Sequence, residues 1–304
     1  MNSSSKTRNL LASLTPRLTM LEVSQKEVSQ KIEDLMVARN PRGMKTLQAA
    51  LTPGYFFRAA TLIDQAVNSA AGPILIGTGF PVDSTFETDG PLGAIALYRA
   101  IQKLGGSPVL VCGDPLAERL KADFRVYQIT VADNANREHE ARQGLKKLSP
   151  SLVVSIERPG LNAEGNYCNM RGENISPRCA SFDEFLNLAS CPTIGIGDGG
   201  NEIGMGNVVE ALAALNIIPS ITQCDELVIA DVSNWAAHGL IAMLSYFKND
   251  DMLADWNNLE LLHYLSSLGS VDGVSRENTL TEDSLDSTVS EEVILSLRKI
   301  SGFC

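Results

Sequence analysis

Residues 73–104 read PILIGTGFPVDSTFETDGPLGAIALYRAIQKL, and this stretch decides the fold. It opens with a short apolar run over 73–77, continues through a loop of glycine and acidic residues, and closes with a helix-like segment over 91–104. A continuous apolar run of this length is typical of a strand that is covered on both faces. A strand followed by a helix is the repeating unit of a parallel sheet with crossover helices.

The same alternation of strand and helix continues to about residue 247. Further apolar runs predict strands at 108–112, 126–131, 152–156, 193–196 and 227–230. Helix-like stretches follow at 135–147, 181–190, 204–215 and 234–247. The sequence therefore predicts an α/β fold, a mainly parallel sheet with helices on both faces that forms a Rossmann-like three-layer sandwich.

The chain has 304 residues, enough for two average domains, but no shift in composition marks a boundary between two. We predict an N-terminal helical arm over residues 1–40 and a single α/β domain of catalytic type over 41–304, with a helical C-terminal segment. Within that segment, the stretch 270–290 is rich in Ser, Thr, Asp and Glu, and we expect it to be a mobile loop.

The charge and apolar content of the chain limit its partners. It carries 25 basic and 36 acidic residues, a formal net charge of −11, so we expect no nucleic-acid partner. No apolar run approaches the roughly 18 residues that a membrane span needs, so we expect no membrane partner. The six cysteines form no C-x-x-C pair, which indicates reduced thiols.

The N-terminal residues bear on the compartment. The stretch Met1–Met20 is rich in serine, carries three basic residues and lacks acids, features of a mitochondrial transit peptide. Pro16 and the acids that soon follow, Glu22 and Glu27, weigh against that interpretation. We therefore expect a cytoplasmic protein, with the mitochondrial matrix as the alternative.

Four predicted strands end in loops dense in glycine, acids, amides or arginine. Because the carboxyl ends of parallel strands open onto one edge of a sheet, where ligands bind, we expect these loops to converge on one pocket. The loops cover residues 77–91, 157–172, 197–207 and 231–235.

The segment Gly195–Gly200 matches the G-x-G-x-x-G pattern of dinucleotide sites. Asp198 and Glu202 lie in this loop and would repel a phosphate, and no lysine or arginine occurs from residue 179 to 247. A nucleotide-binding α/β enzyme is therefore the less favoured hypothesis. We expect the glycines to let the backbone approach a small ligand and to aim Asp198, Asn201 and Glu202 into the pocket.

The acids of these loops are also candidate metal ligands. Asp198 and Glu202, together with Glu87, Asp89 and Asp231, offer the oxygen ligands that magnesium or manganese prefers. Carboxylates in these positions also cap helix N-termini, so the sequence identifies no metal ligand and makes no cofactor certain. The three histidines lack the paired spacing of a zinc site.

Taken together, the loop motifs resemble the D-glutamate cyclase C-terminal domain family. The likeness extends from about Ile32 to the turn at 271–274, and two positions depart from the family pattern. Cys168 stands where a second tyrosine is expected, and 236–238 replaces a Gly/Ala-Tyr segment. The motifs that carry the resemblance are Gly77–Pro81, Glu87–Pro91, Glu157–Gly160, Asn166–Gly172, Gly195–Asn207 and Val232–Trp235.

The resemblance implies a hydro-lyase that closes D-glutamate into 5-oxo-D-proline with loss of water, in a family with mitochondrial members in animals. The partner is then a small amino-dicarboxylate substrate, and a homo-oligomer stays open. The alternative from another class is a non-catalytic sensor that binds an acidic metabolite in the same pocket.

This reaction needs a held α-carboxylate, a neutral amine and a protonated leaving oxygen. Arginine forks suit the α-carboxylate, because they bind it through two hydrogen bonds. Acids of raised pKa suit the removal of the amine proton and the protonation of the leaving oxygen, and amides can stabilise an oxyanion. We assign catalytic roles to Asp198 and Glu202 as candidate bases and to Asp89 and Glu157 as candidate acids. The predicted substrate-binding residues are Thr78, Arg158, Asn169, Arg171, Asn201 and Asn234.

Overall fold

Six parallel strands form the central sheet of the computed structural model, which describes residues 24–303. The predicted strands are all present, and their ends differ from the predicted ones by at most three residues. Strands β1, β4, β5, β6, β7 and β8 form this sheet, whereas β2–β3 and β9–β10 are short antiparallel pairs. In chain order the strands are β1 (Ile74–Thr78), β2 (Pro81–Val82), β3 (Thr85–Phe86), β4 (Pro108–Cys112), β5 (Val126–Gln128), β6 (Leu152–Ile156), β7 (Thr193–Gly197), β8 (Glu226–Ile229), β9 (Thr281–Glu282) and β10 (Leu285–Asp286).

The order of strands in the sheet is β5-β4-β1-β6-β7-β8. The chain first moves outward from β1 through β4 to β5, then crosses back and moves outward through β6, β7 and β8. Strand β1 pairs with both β4 and β6, in the register Ile76 to Leu110 and Ile76 to Val154. The order therefore reverses between β1 and β6, and a sheet of this kind binds ligands at the carboxyl ends of the strands beside such a reversal.

Helices surround the sheet. The long helices predicted over 91–104, 135–147 and 234–247 are present, and the helix α3 was not predicted. The helices are α1 (described over 24–36), α2 (Met44–Gln48), α3 (Tyr55–Ser69), α4 (Pro91–Lys103), α5 (Leu116–Leu120), α6 (Arg137–Leu148), α7 (Asp183–Asn187), α8 (Val209–Leu212), α9 (Ser233–Lys248), α10 (Asn258–Ser267) and α11 (Ser287–Ile300).

Two predicted helices are much shorter than expected. The prediction over 181–190 shrinks to α7, and the one over 204–215 becomes a 3₁₀ turn, Met205–Val208, followed by the single turn of α8. The amides of Gly204 and Gly206 both donate to the carbonyl of Thr222. The φ of Gly204 is +102°, which lies outside the helical range, so an α-helix cannot begin at residue 204.

The side chains of the strands alternate between two apolar layers. In β1, Ile74 and Ile76 belong to the larger core with α3, α4 and α9. Leu75 belongs to a smaller core on the other face with Phe182 and Phe185. Helices therefore cover both faces, and the predicted three-layer α/β class is confirmed.

The segments that flank the sheet in sequence are packed against it. In the described part of the predicted arm, Ile32 and Met36 are fully buried in the larger core. Residues 1–23, including the transit-like stretch Met1–Met20, lie outside the described residues, and the division at residue 40 stays a prediction. Between residues 24 and 303, no helix is both long and apolar enough to cross a bilayer.

The stretch 270–290 is not the detached loop that the sequence predicts, and its mobility stays a prediction. It forms the β9–β10 hairpin and is held by buried acids at both ends. Asp272 accepts hydrogen bonds from Thr281 Oγ1 and Ser284 N, both at 2.6 Å. Glu282 accepts from Asn234 at 2.9 Å and from Asn258 at 2.7 Å. These bonds fix the hairpin at the carboxyl edge of the sheet.

Candidate active site

A cavity of about 300 Å³ lies where the loops after β1, β6 and β7 meet. The hairpin β9–β10 and the turn between α1 and α2 complete its wall. The predicted convergence of loops at the carboxyl ends of the strands is therefore observed for these three loops. Acids in the lining are Asp83, Glu87, Glu157, Asp198 and Asp283, the basic residues are Arg42, Arg171, Arg178 and Arg276, and the amides are Asn169 and Asn201.

Asp198 lies at the centre of a group of buried carboxyls. One oxygen each of Asp89, Asp198 and Asp283 lie within 4.8 Å of one another. The same holds for one oxygen each of Glu157, Asp198 and Glu202. Four of these five side chains are buried, and Asp283 is the more exposed one. So many acids in a space with little water cannot all be ionised without cations.

The first turn of α9 donates hydrogen bonds to this cluster. Ser233 N donates to Asp89 at 3.0 Å and to Asp198 at 3.1 Å. Ser233 Oγ donates to Glu157 at 2.5 Å, and Asn234 N donates to Asp89 at 2.7 Å. The free amides and the positive end of the helix dipole favour negative charge here. The fourth predicted loop therefore holds the acids in position rather than lining the cavity.

The amides of the glycine motif are already occupied. Glu202 accepts from Gly199 N at 2.9 Å and from Gly200 N at 2.8 Å. A nucleotide phosphate held by this loop would need the same donors, and it would meet the Glu202 carboxylate there. The contacts therefore disfavour the nucleotide hypothesis that the G-x-G-x-x-G pattern raised.

Arg42 is the main site residue that the sequence prediction missed. Its Nη2 lies 2.7 Å from Asp198 Oδ2 and 2.5 Å from Asp283 Oδ2. The same nitrogen donates to the Asp231 carbonyl at 2.7 Å, and Nε donates to the Asp198 carbonyl at 3.1 Å. The signal in the sequence that could have identified it is an arginine in a turn with proline and glycine, at the end of the helical arm, residues 39–43.

Asp231 does not join the carboxyl cluster as a cation ligand. Its two oxygens accept from Arg39 N at 2.7 Å and from Asn40 N at 3.0 Å. These bonds fix the turn that carries Arg42. Asp231 therefore positions the arginine, which in turn contacts Asp198 and Asp283.

Burial and mutual repulsion raise the pKa values of the acids in the cavity lining and of Asp89 beside it. Burial, followed by the charge of Asp283, raises the pKa of Asp89 to about 7. Burial and the charge of Asp198 raise the pKa of Asp283 to about 7 as well, although Arg42 opposes the shift. Burial also raises the pKa values of Glu87 and Glu157 well above their usual range. At neutral pH the cavity therefore holds both protonated and ionisable carboxyls.

The pKa of Arg42 is also raised, but by the neighbouring charges and not by burial. Burial alone would lower the pKa of Arg42, but the charges of Asp198 and Asp283 raise it overall. Burial raises the pKa of Asp198 well above its usual range, and Arg42 is the main influence that lowers it. Arg42 therefore stays charged and keeps part of the acid cluster ionised.

Three of the predicted substrate-binding residues line the cavity. Arg171 is exposed, and its Nη2 donates to the Val274 carbonyl at 3.2 Å. Asn169 Nδ2 donates to Glu173 at 2.6 Å. Asn201 is buried and its Nδ2 donates to the Cys168 carbonyl at 3.0 Å.

The other three predicted substrate-binding residues, Thr78, Arg158 and Asn234, do not line this cavity. Arg158 is buried and donates to the carbonyls of Thr78, at 2.6 Å, and Ala180. Asn234 Oδ1 accepts from two amides, of Gly90 at 2.8 Å and Gly93 at 2.7 Å. Their contacts hold loops together, and substrate binding by these three residues stays a prediction that the geometry does not favour.

The fold and the cavity define a class, an α/β protein of Rossmann-like strand order with a carboxyl-lined cavity at the reversal between β1 and β6. The chain belongs to the D-glutamate cyclase-like C-terminal family, whose sequence model matches residues 32–298. The resemblance seen in the loop motifs is thereby confirmed.

A human protein, "D-glutamate cyclase, mitochondrial", is similar to this chain. The two are 31% identical over 251 residues, an alignment that covers 73% of this chain and 40% of the human protein. The chain therefore matches less than half the length of that relative.

Proposed function

We propose that this chain is a lyase that closes D-glutamate into 5-oxo-D-proline with loss of water. Membership of the D-glutamate cyclase-like family and the printed name of the human relative support this proposal. The observation that carries it is the distribution of charge in the cavity, where Glu87, Glu157 and Asp198 form a buried acidic part of the lining. A more exposed basic part consists of Arg171, Arg178 and Arg276.

The charges of D-glutamate fit this distribution. Its two carboxylates match Arg171, which is exposed, and Arg178 and Arg276, which are partly exposed. A guanidinium fork binds a carboxylate through two hydrogen bonds. Two of these arginines form only surface pairs, Arg276 with Glu173 at 2.9 Å and Arg178 with Asp83 at 3.9 Å. Such pairs contribute about 0–1 kcal/mol, so a substrate carboxylate can replace them. The ammonium group then points toward the buried acids.

Asp283 is the base in this proposal. It lines the cavity, and its pKa of about 7 is raised first by burial, which matches a base that works at neutral pH. Arg42 keeps it ionised from a distance of 2.5 Å. Asp283 takes one proton from the ammonium group, which frees the nitrogen lone pair to attack the side-chain carboxyl carbon.

Glu87 is the acid. It lines the cavity, and burial raises its pKa well above the usual range, so it keeps its proton at neutral pH. No residue in the described part of the chain forms a hydrogen bond with its carboxyl, which leaves the proton available. Both carboxyls border Gly273: a Cβ on this glycine would lie 2.3 Å from Glu87 Oε2 and 3.7 Å from Asp283 Oδ1.

The proton balance of ring closure follows from this pair. The nitrogen of the substrate loses two of its three protons as the N–C bond forms and one C–O bond breaks. Glu87 gives one proton to the departing oxygen, and Asp283 passes the first nitrogen proton to the same oxygen. The second nitrogen proton returns to Glu87. Water leaves, and both carboxyls return to their starting states.

The earlier role assignments change accordingly. Glu202 is a poor base because both of its oxygens accept backbone hydrogen bonds, and Asp89 lies outside the cavity lining. Asp198 and Glu157 line the cavity and stay candidates for contact with the substrate.

The test is incubation of the chain with D-glutamate, L-glutamate and D-aspartate, followed by mass-spectrometric detection of water loss. We expect 5-oxo-D-proline from D-glutamate and at least about 100-fold less from an Asp283→Asn variant, the usual cost of losing a general base. Asp251→Asn is the matched control, because Asp251 also pairs with an arginine, Arg298 at 2.9 Å, but lies outside the cavity lining.

Two outcomes would contradict the proposal. Stabilisation of the chain by D-glutamate without any product would favour the sensor hypothesis. Neither product nor stabilisation would exclude D-glutamate as the ligand. A thermal shift with NAD or ATP would instead revive the nucleotide hypothesis.

The compartment and the assembly state stay predictions. The human relative carries "mitochondrial" in its name, and we retain the cytoplasm as the expected location of this chain. Fractionation with an N-terminally intact chain decides between the two. Light scattering of the purified chain tests for a homo-oligomer.

A further inference from the structure

Arg158 is a buried cation without an acid paired to it. Its side chain is 2% exposed, and its guanidinium donates to two backbone carbonyls, that of Thr78 at 2.6 Å and that of Ala180. Among residues 24–303, no carboxylate forms an ion pair with Arg158. The buried charge is therefore offset only by neutral groups.

The groups around Arg158 do not supply a negative charge. Burial raises the pKa of the Cys112 and Cys179 thiols to about 12, so both are neutral at neutral pH. The carboxyl of Asp183 accepts hydrogen bonds from the Leu161 amide at 2.9 Å and from two hydroxyl groups, those of Tyr167 and Thr222. Burial lowers the pKa of Arg158, but a guanidinium keeps its proton in a protein. Arg158 therefore cannot become neutral as a buried acid can.

The guanidinium also has unused donors. It carries five N–H groups, and two of them donate to the carbonyls of Thr78 and Ala180. Its Nε has no hydrogen-bond partner in the described part of the chain. The Phe182 ring lies 5.5 Å from Cζ, which leaves the edge of the guanidinium open to another group. A buried charged donor without a partner is unfavourable, so these donors indicate a bound acceptor.

A small second cavity, the side cavity, adjoins this guanidinium. Its lining includes Arg158 and both residues whose carbonyls Arg158 contacts, Thr78 and Ala180. Its volume is about 30 Å³, and a water molecule needs about 10–15 Å³ of such space. The side cavity therefore holds an occupant of two or three heavy atoms, which excludes D-glutamate. It shares Phe80, Pro81 and Arg178 with the larger cavity.

The charged residues of the side cavity favour an occupant with a single negative charge. Besides Arg158, its lining includes Arg178 and Asp114. Asp114 is exposed, and its oxygens already accept from the Glu118 amide at 3.2 Å and from Gln128 at 2.7 Å. Two arginines and one aspartate leave the lining with one net positive charge, which a monovalent anion would neutralise.

We propose that the side cavity binds one small monovalent anion, either a halide or a carboxylate of the size of formate, with the guanidinium of Arg158 as its main donor. The site does not depend on the proposed cyclisation. Water is the alternative occupant, because it can also accept from the free N–H groups.

The test uses the line width of the ³⁵Cl NMR signal of sodium chloride in the presence of the full chain. We expect the chain to broaden this signal, and formate to narrow it again by competition at constant ionic strength. Nonspecific chloride binding should be weak, because the chain has a net charge of −11. Thermal unfolding is compared in sodium chloride, sodium formate and sodium gluconate at equal ionic strength. Gluconate is too large for the side cavity, so chloride and formate should raise Tm relative to gluconate.

Three variants locate the anion. Arg158→Met should weaken anion binding at least about tenfold, because a hydrogen bond to a charged group contributes more free energy than a tenfold change in affinity. Arg178→Met changes a partly exposed residue and should weaken binding about two- to fivefold. Arg276→Met is the matched control and should leave the affinity unchanged. Arg276 and Arg178 approach the same Asp83 carboxylate, at 3.6 Å and 3.9 Å, but Arg276 lines the larger cavity alone.

The outcomes either support or overturn the proposal. An unchanged line width together with equal Tm values in the three salts would assign the side cavity to water. A folded Arg158→Met variant with the affinity of the parent chain would also overturn the proposal. If Arg158→Met does not fold, the other pair decides, because equal losses in Arg178→Met and Arg276→Met would place the anion in the larger cavity. Broadening without an effect of formate would identify the anion as a halide, and stabilisation by formate alone would identify it as a carboxylate.

Discussion

Arg42 Nη2 lies 2.7 Å from Asp198 Oδ2 and 2.5 Å from Asp283 Oδ2, so one nitrogen joins the ends of two distant segments. The arginine precedes α2, Asp198 follows β7, and Asp283 is in the β9–β10 hairpin. The hairpin is therefore tied to the edge of the sheet by the same charge that keeps the proposed base ionised.

Removing this charge should change the pH dependence of turnover. Burial and the Asp198 carboxyl raise the pKa of Asp283, and Arg42 lowers it. In an Arg42→Met variant the lowering effect is lost, so the pKa of Asp283 should rise above about 7. We expect the acid limb of the pH–rate profile to move to higher pH and turnover at neutral pH to fall at least about tenfold.

Two variants make this measurement specific. Arg42→Lys keeps the charge but loses the fork, so it should recover part of the activity and most of the pH profile. Arg58→Met removes an arginine that pairs with Glu226 at 2.7 Å outside the cavity lining, and should leave the profile in place. An unchanged acid limb in Arg42→Met would rule out Arg42 as the group that sets the base.

Gly90 permits the approach of two loops at the carboxyl edge. Its φ is +92°, and a Cβ at this position would lie 2.7 Å from the Cβ of Glu157, which itself has a φ of +46°. Gly90→Ala should therefore destabilise the chain by about 2 kcal/mol or more and displace Glu157, because it adds a clash to the strain of a left-handed residue.

Gly105→Ala is the matched control for that substitution. Gly105 has a similar φ of +85°, but a Cβ there meets nothing within 4 Å. Its cost should be about 1 kcal/mol, from backbone strain alone. Urea unfolding and D-glutamate turnover separate the two variants, and equal losses in both would contradict the proposed contact.

The two arginines that the sequence assigned to one role should behave differently. Arg158→Met leaves two buried carbonyls without donors, so we expect a loss of about 2 kcal/mol or more in the free energy of unfolding. Arg171→Ala removes an exposed side chain and should change stability by no more than about 0.5 kcal/mol. Instead, it should raise KM for D-glutamate about tenfold, because Arg171 lines the cavity. A stable Arg158→Met variant with raised KM would restore Arg158 as a substrate ligand.

Most of the sheet could be predicted from the sequence, because buried parallel strands are continuous apolar runs. Leu152–Ile156 is buried at every position, and such a run has few alternatives to a central strand. The helix over 204–215 was overestimated because apolar periodicity does not register a backbone conformation such as the positive φ of Gly204. Helix α3 was missed although Phe56 and Ile63 mark its buried face.

The site was harder to predict for two physical reasons. Neighbouring residues at a strand end point to opposite faces, so Glu157 lines the cavity while Arg158 lies against Phe182. No spacing in the sequence distinguishes the two. Arg42 and Asp283 are 241 residues apart, and their contact exists only because the arm and the hairpin pack on the same edge of the sheet.

The buried acid cluster also predicts how stability depends on pH. Burial raises the pKa of Asp89 to about 7 in the folded chain, above the value of about 3.9 expected when unfolded. Between about pH 4 and pH 7, the folded form therefore keeps a proton that the unfolded chain has already released. This contribution to stability is complete below the unfolded pKa and is lost as the pH rises through the folded one.

An Asp89→Asn variant, which cannot ionise, should not lose that contribution. The free energy of unfolding of the variant, relative to the parent chain, should therefore improve by at least about 1 kcal/mol between about pH 5 and pH 7. Urea unfolding at both pH values measures the difference. Asp286→Asn is the control, because hydrogen bonds from Thr288 lower the pKa of Asp286, and its contribution changes only below about pH 4. If Asp89→Asn shows the same small pH dependence as Asp286→Asn, Asp89 does not titrate near neutral pH, and the repulsion inferred for the cluster is too strong.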